Sequence, residues 1–285
     1  MNANKGREKM RAQTTLTPVK KMEKDILNTA KAFNETEIRV LVDRYYQTQE
    51  NRKRSANQLR AAIEDGEECT ALKYLLEQDK LIENQIKKFL TEFSNSHKVG
   101  RWCMANYGIG GVITAGLLAH IDIKKAPTAG HIWNYAGLNP DQVWKKGSKR
   151  PWNAQLKTLC WKIGESFVKV SNQDEAFYGQ LYSQRKELEV NKNASGQYKD
   201  HAEKQLKEKN YNKSTVAYKH YIKGELPPGH VHAIAKRWTV KLFLSHLHYI
   251  WYQHEHSDTP PQPYALAQLG HAHLIEPPIS LEDID

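Results

Sequence analysis

Apolar positions recur along most of this chain at steps of three and four, the spacing of one face of an α-helix. Ile38, Leu41, Val42 and Tyr45 open the first such run. Leu72, Leu75, Ile82, Ile86, Phe89 and Phe93 form a second, in which Asp79 is the polar residue at a seam position. Asp65-Gly66 between them is a turn signal. The two runs predict a helical hairpin or a short two-helix coiled coil over 25–99. Its stripe serves either packing within one chain or a homo-oligomer through 38–95, and heptads alone do not separate the two. A third run fills 230–252, where Ile234, Trp238, Leu242 and Leu247 with Phe243 are expected to face a core. No stretch alternates with period two for a strand's length, so the fold class expected is all-α.

Breaks in the pattern suggest the boundaries. Residues 1–24 are polar and basic without periodicity, which suits a flexible arm. A second helical domain is expected over 100–252. Within it, 183–228 is charged and poor in large aliphatics, and reads as an insertion or an exposed helix pair rather than core. Residues 253–285 are proline-rich and suggest an irregular tail.

The most informative segment is 102–119. It has the form of a helix-hairpin-helix: a helix, a Gly108-Ile109-Gly110 turn and a second helix with small residues Ala115 and Ala119 on its packing face. Gly108 and Gly110 are expected to permit positive φ and to leave no side chain between backbone and ligand. The first N–H groups of the second helix, around Gly111, Val112 and Thr114, then face outward with the positive end of the helix dipole. That is a seat for a phosphate. It holds a nucleic-acid backbone and reads no bases.

Charge strengthens the case. The 285 residues carry 42 Lys+Arg against 32 Asp+Glu, a formal net charge of +10. Such an excess suits a polyanion, whose counterions basic side chains release. It is densest in the loop Trp144-Lys145-Lys146-Gly147-Ser148-Lys149-Arg150-Pro151-Trp152, where Lys145, Lys146, Lys149 and Arg150 stand between two indoles. Lys157 extends the patch along the next helix, and Lys236 and Arg237 supplement it from the last one. Ser148 is the candidate nucleophile, provided a neighbour removes its proton.

Other chemistry is poorly served. Cys69, Cys103 and Cys160 form neither a disulfide framework nor a zinc spacing. His-x-His pairs at His230/His232, His246/His248, His254/His256 and His271/His273 invite a metal. Residues i and i+2 do not share a helix face, which argues against the first two pairs; the pair at 254–256 is less constrained but lies in the expected tail, and no metal site is expected. There is no P-loop, dinucleotide fingerprint or hydrolase elbow, hence no expected cofactor. The apolar stretch 109–121 is too short to span a bilayer, and no membrane partner is expected. The N-terminus has no signal-peptide core; a reducing cytoplasm is the expected location.

Several of these segments resemble one known family. The stretch from Tyr107 through Gly108-Ile109-Gly110-Gly111 to Ala115 is one. Another is Thr128-Ala129-Gly130-His131-Ile132-Trp133-Asn134-Tyr135-Ala136-Gly137-Leu138-Asn139-Pro140. In that order they resemble the C-terminal transposase domain of the IS one-ten (IS one-sixteen/IS nine-oh-two) insertion-sequence family. Asn172 to Leu181 and Ala233-Ile234-Ala235-Lys236-Arg237-Trp238 resemble two further family segments, and 38–95 lies where the family keeps a coiled coil. The resemblance covers about 38–252 and includes no RuvC-like domain with its acidic metal ligands. It implies DNA transposition or recombination, a serine nucleophile, and in some members a structured guide RNA. The family's Ser-Gly pair is replaced by Lys146-Gly147, with Ser148 just beyond. The alternative is a non-catalytic DNA- or RNA-binding module that recruits a partner through its coiled coil.

Overall fold

The computed structural model describes residues 29–261 and 275–284. The basic arm expected over 1–24, part of the tail, and His271 and His273 lie outside the described residues. Within them the chain is all-helical, with no strand, as the periodicity predicts. It divides into two compact units, 1–93 and 94–285.

The first unit is built on α1 (Glu35–Glu64) and α2 (Thr70–Ser96), preceded by a 3₁₀ turn at Ala30–Ala32. Asn34 caps α1: its side chain accepts from the Thr36 and Glu37 amides while Glu37 returns a bond to the Asn34 amide. Asp65 ends the helix and Gly66 turns the chain at φ 76°. The helices run antiparallel, because late α1 residues meet early α2 residues. Ser55 donates to Asp79 at 3.1 Å, and Arg52 and Gln49 both bind Glu83. The polar residue that interrupts the α2 stripe thus has a partner across the hairpin. The apolar seam is closed only toward 86–93, where Ile86, Phe89, Leu90 and Phe93 are buried and Phe33 stacks on Phe89 at 5.6 Å. Leu75 is exposed.

The second unit is organised by the long helix α10 (Pro228–His256), which starts with proline in its first turn, where no amide is needed. Around it pack α3 (Lys98–Ala105), α5 (Ala129–Tyr135), α6 (Ala154–Lys169) and α7 (Phe177–Ala194). The short helix α4 (Gly111–His120) lies against α3 and α6. The core is aromatic. Tyr178 contacts Phe167 at 5.0 Å and Phe243 at 5.2 Å, and Trp102 stacks on Phe243 at 6.0 Å. Of the α10 residues expected in the core, Phe243 and Leu247 are buried, whereas Ile234, Trp238 and Leu242 are only half-buried. Val231, Ala235, Val240 and Leu244 take their place. α10 touches neighbours on several sides, so no single stripe describes it.

Two regions differ from the pattern reading. The stretch 183–228 does contain core. With α8 (Lys199–Glu208) and α9 (Val216–Tyr221) it buries Ala202, Tyr221 and Leu226 against Val231, with Tyr198, Leu206 and Tyr211 packed around them. Tyrosines supply the bulk that aliphatics supply elsewhere. Asn193 clamps the far end, donating to the Leu226 carbonyl and accepting from its amide. The tail segment 275–284 is also fastened: Trp102 donates its indole N–H to the Ile279 carbonyl at 2.8 Å, and His246 binds the Ile275 carbonyl.

Candidate nucleic-acid interface

The glycine turn has the expected order, helix, turn 106–110, helix, but narrower access than expected. Buried Asn106 fastens it through the Trp102 carbonyl at 2.7 Å and receives the Ile109 amide on its own carbonyl. Gly108 adopts φ 93°, as required, and its carbonyl accepts from Ser166 of α6. A Cβ there would meet Val170 at 3.2 Å. Gly110 has φ −106°, so the left-handed region is needed at one glycine, not two. Gly110 is exposed with nothing within 4 Å of an added Cβ, and no side chain caps α4. The next residues turn inward. Gly111 and Val112 are buried, with the Gly111 carbonyl bonded to Ser94, and Thr114 is fully buried. Thr114, expected at the phosphate seat, packs inside the unit. At the start of α4, Gly110 is exposed whereas Gly111 and Val112 are buried.

Charge gathers elsewhere, at the other end of α6. Asn153 caps that helix by accepting the Leu156 amide, and its own amide binds the Tyr135 carbonyl, which ties the basic loop to α5. The indole of Trp152 lies on Gly137, where φ is 65° and a Cβ would come within 2.6 Å of the ring. Lys157 rests its ammonium 4.1 Å from that ring's centroid. Arg150 lies 5.2 Å from the Trp144 ring, and the Trp144 N–H closes the loop on the Ser148 carbonyl at 2.8 Å. From α10, Lys241 stands 5.0 Å from the ring of Trp133, whose N–H donates to the Lys241 carbonyl.

These cations share one electrostatic environment. Partial burial lowers the Lys157 ammonium from its ordinary range, and the charges of Arg237 and Arg150 lower it further. Burial and then Arg237 depress Lys241, against the pull of Asp141. Among the described residues no salt bridge joins Lys157, Arg237 or Lys241 to a carboxylate. Lys157 and Lys241 thus both feel the charge of Arg237, with Asp141 as an opposing carboxylate on Lys241.

Lys236 does not belong to this group. Its stem covers Gly164, its ammonium binds Glu165, and its side chain is 12% exposed. That bond holds the Glu165 carboxyl below its usual range. Lys145, Lys146 and Lys149 are exposed on the loop. Ser148 is exposed too, and its hydroxyl donates to the Lys145 carbonyl at 2.7 Å. Among the described residues no histidine, carboxylate or amine bonds to it.

The glycine turn and the basic loop do not form a single cradle. Ser166 meets Gly108 near one end of α6 and Lys157 lies near the other, roughly 14 Å apart along a helix rising about 1.5 Å per residue.

Comparison with protein-family models, with curated proteins and with solved structures returned no match. The other chemistry reads as structure. His246 donates Nε2–H to the Ile275 carbonyl and accepts from the Tyr178 hydroxyl on Nδ1, and His248 binds the Ala126 carbonyl. No group of three metal-binding side chains occurs among the described residues. The three cysteines are free; burial pushes the Cys160 thiol up to about 12 and Cys103 higher still. No helix among the described residues is long and apolar enough to cross a membrane.

Reading the sequence alone missed Lys241, Trp133 and the role of Gly137. A faint signal was present: Arg237 and Lys241 are four residues apart on one helix, as are Lys157 and Trp161, so each pair shares a face.

Proposed function

We propose that this chain is a transposase-like DNA-binding protein that grips the phosphate backbone during DNA transposition or recombination. The observation that carries the reading is the convergence of Lys157, Arg237 and Lys241, with Arg150 beside them, unneutralised by any salt bridge among the described residues. Phosphates bound there would restore the ammonium groups to their ordinary basicity and release counterions. The net charge of +10 supports a polyanionic partner, and the resemblance of 107–140 to an insertion-sequence transposase domain supports DNA. The helix-hairpin-helix at 102–119 would add one phosphate contact at Gly110, on the open start of α4.

Binding is favoured over serine chemistry, because the Ser148 hydroxyl is committed to the Lys145 carbonyl and bonds to no base among the described residues. A non-catalytic module acting beside a recombinase is therefore the second reading, with the hairpin of α1 and α2 as the element that recruits a partner or a second copy. A salt series on duplex and branched DNA and on structured RNA tests the first step. The reading predicts an affinity that falls steeply with salt and a Ser148→Ala variant that binds as wild type. Binding that ignores salt contradicts it. A DNA adduct at Ser148 would overturn the preference for a non-catalytic role.

A further inference from the structure

The cationic face also presents bare ring faces. Trp161 is 56% exposed, Tyr135 44% and Trp144 39%. Large rings are normally drawn into the core, and this unit already has an aromatic core in Trp102, Phe167, Tyr178 and Phe243. The exposed indoles are instead each matched with a cation: Arg150 on Trp144 and Lys236, at 5.4 Å, on Trp161. A cation seated on one face of an indole fixes its orientation and leaves the opposite face for a ligand. The cations and rings alternate along the sequence and the helix face. Trp144 and Arg150 lead to Lys157, whose charge is felt with those of Arg150 and Arg237, and Trp161 follows Lys157 by one turn of α6.

We infer that this face takes a single unpaired nucleic-acid strand, its phosphates on Arg150, Lys157, Arg237 and Lys241 and its bases stacked on Trp144 and Trp161. The inference rests on the nucleic-acid reading above and narrows it. In a duplex the base faces are already stacked and only edges and phosphates are offered, so exposed indoles gain nothing from it. An unpaired strand offers both the charge and the ring faces, and stacking on aromatic side chains is tolerant of sequence. Interleaved rings and cations are redundant for a duplex and complementary to a single strand.

Fluorescence quenching and anisotropy on the full chain test this, with oligo(dT), oligo(U) and a duplex of equal length as probes. A strand of either sugar is expected to bind more tightly than the duplex at matched salt and to quench tryptophan emission. The two strand probes report whether the site prefers DNA or RNA. Trp161→Ala and Trp144→Ala should each weaken strand binding about tenfold, as expected for one stacked base. Duplex affinity of the Trp161→Ala variant should stay within about twofold of wild type, and Trp161→Phe should recover most of the loss. Both rings are exposed, and circular dichroism checks that the helices persist. Duplex binding equal to or tighter than strand binding, with both indole variants unaffected, overturns the inference while leaving a backbone-binding protein. Failure to bind any polynucleotide at low salt overturns both readings.

Discussion

Lys157 and Trp152 form a cation–π pair at 4.1 Å, and the same indole lies against Gly137. A glycine at the end of one short helix thereby sets where a cation on the next is held. Gly137→Ala would place a methyl 2.6 Å from the ring at a φ of 65°. We expect a loss of about 1–3 kcal/mol of stability from the left-handed backbone alone. DNA affinity should fall with it, because Trp152 and Lys157 must move. Thermal unfolding together with a binding isotherm checks both.

The two glycines of the turn should behave differently. Gly108→Ala introduces a side chain at φ 93° and 3.2 Å from Val170, and should lower the melting temperature by several degrees. Gly110→Ala has open space and φ −106°, and should melt as wild type. Equal melting temperatures for the two variants would contradict this account of the turn.

Neighbouring basic residues on α10 should also separate. Lys236→Ala removes the partner of Glu165 and the stem over Gly164. It should cost about 1–2 kcal/mol of stability and change DNA affinity little. Arg237→Ala should leave stability within about 0.5 kcal/mol and weaken binding. Chemical denaturation and binding measured on both variants separate a structural lysine from a functional arginine.

Acid should destabilise the second unit through His246. Burial pushes this imidazole down to about 4 from an ordinary 6.5, opposed by its bond to the Ile275 carbonyl. The unfolded chain takes up the proton near 6.5 and the folded chain only near 4, so stability is lost as pH falls through that window. The full effect is about 3 kcal/mol. His230, His232 and His248 are shifted in the same direction and add to the slope. A His246→Gln variant should be less stable at pH 7 yet lose less stability between pH 6.5 and 4. An unchanged slope would contradict this assignment.

Much of the fold was legible because helix periodicity is local. The hairpin, its Asp65-Gly66 turn and the all-α class follow from spacing and one turn signal. The 183–228 core was not legible, because its bulk comes from Tyr198, Tyr211 and Tyr221, which count as polar in a pattern of aliphatics. At the site, the basic loop and Lys157 were legible as clustered charge. The placement of Thr114 and Lys236 was not legible for one reason: sequence gives a residue's element but not which face the tertiary packing closes. Thr114 points into the unit and Lys236 is taken by a carboxylate on another helix. Lys241 was missed because Trp133 is brought to it by packing, although Arg237 lies one turn away on the same helix.

The central claim is that Lys157 and Arg237 contact phosphates. Its most direct test is the salt dependence of DNA binding by wild type and by a Lys157→Ala/Arg237→Ala variant. The account predicts weaker binding at every salt concentration and a log–log salt slope shallower by about two, one for each lost phosphate contact, with circular dichroism unchanged. An unchanged affinity and slope in a folded variant would contradict it.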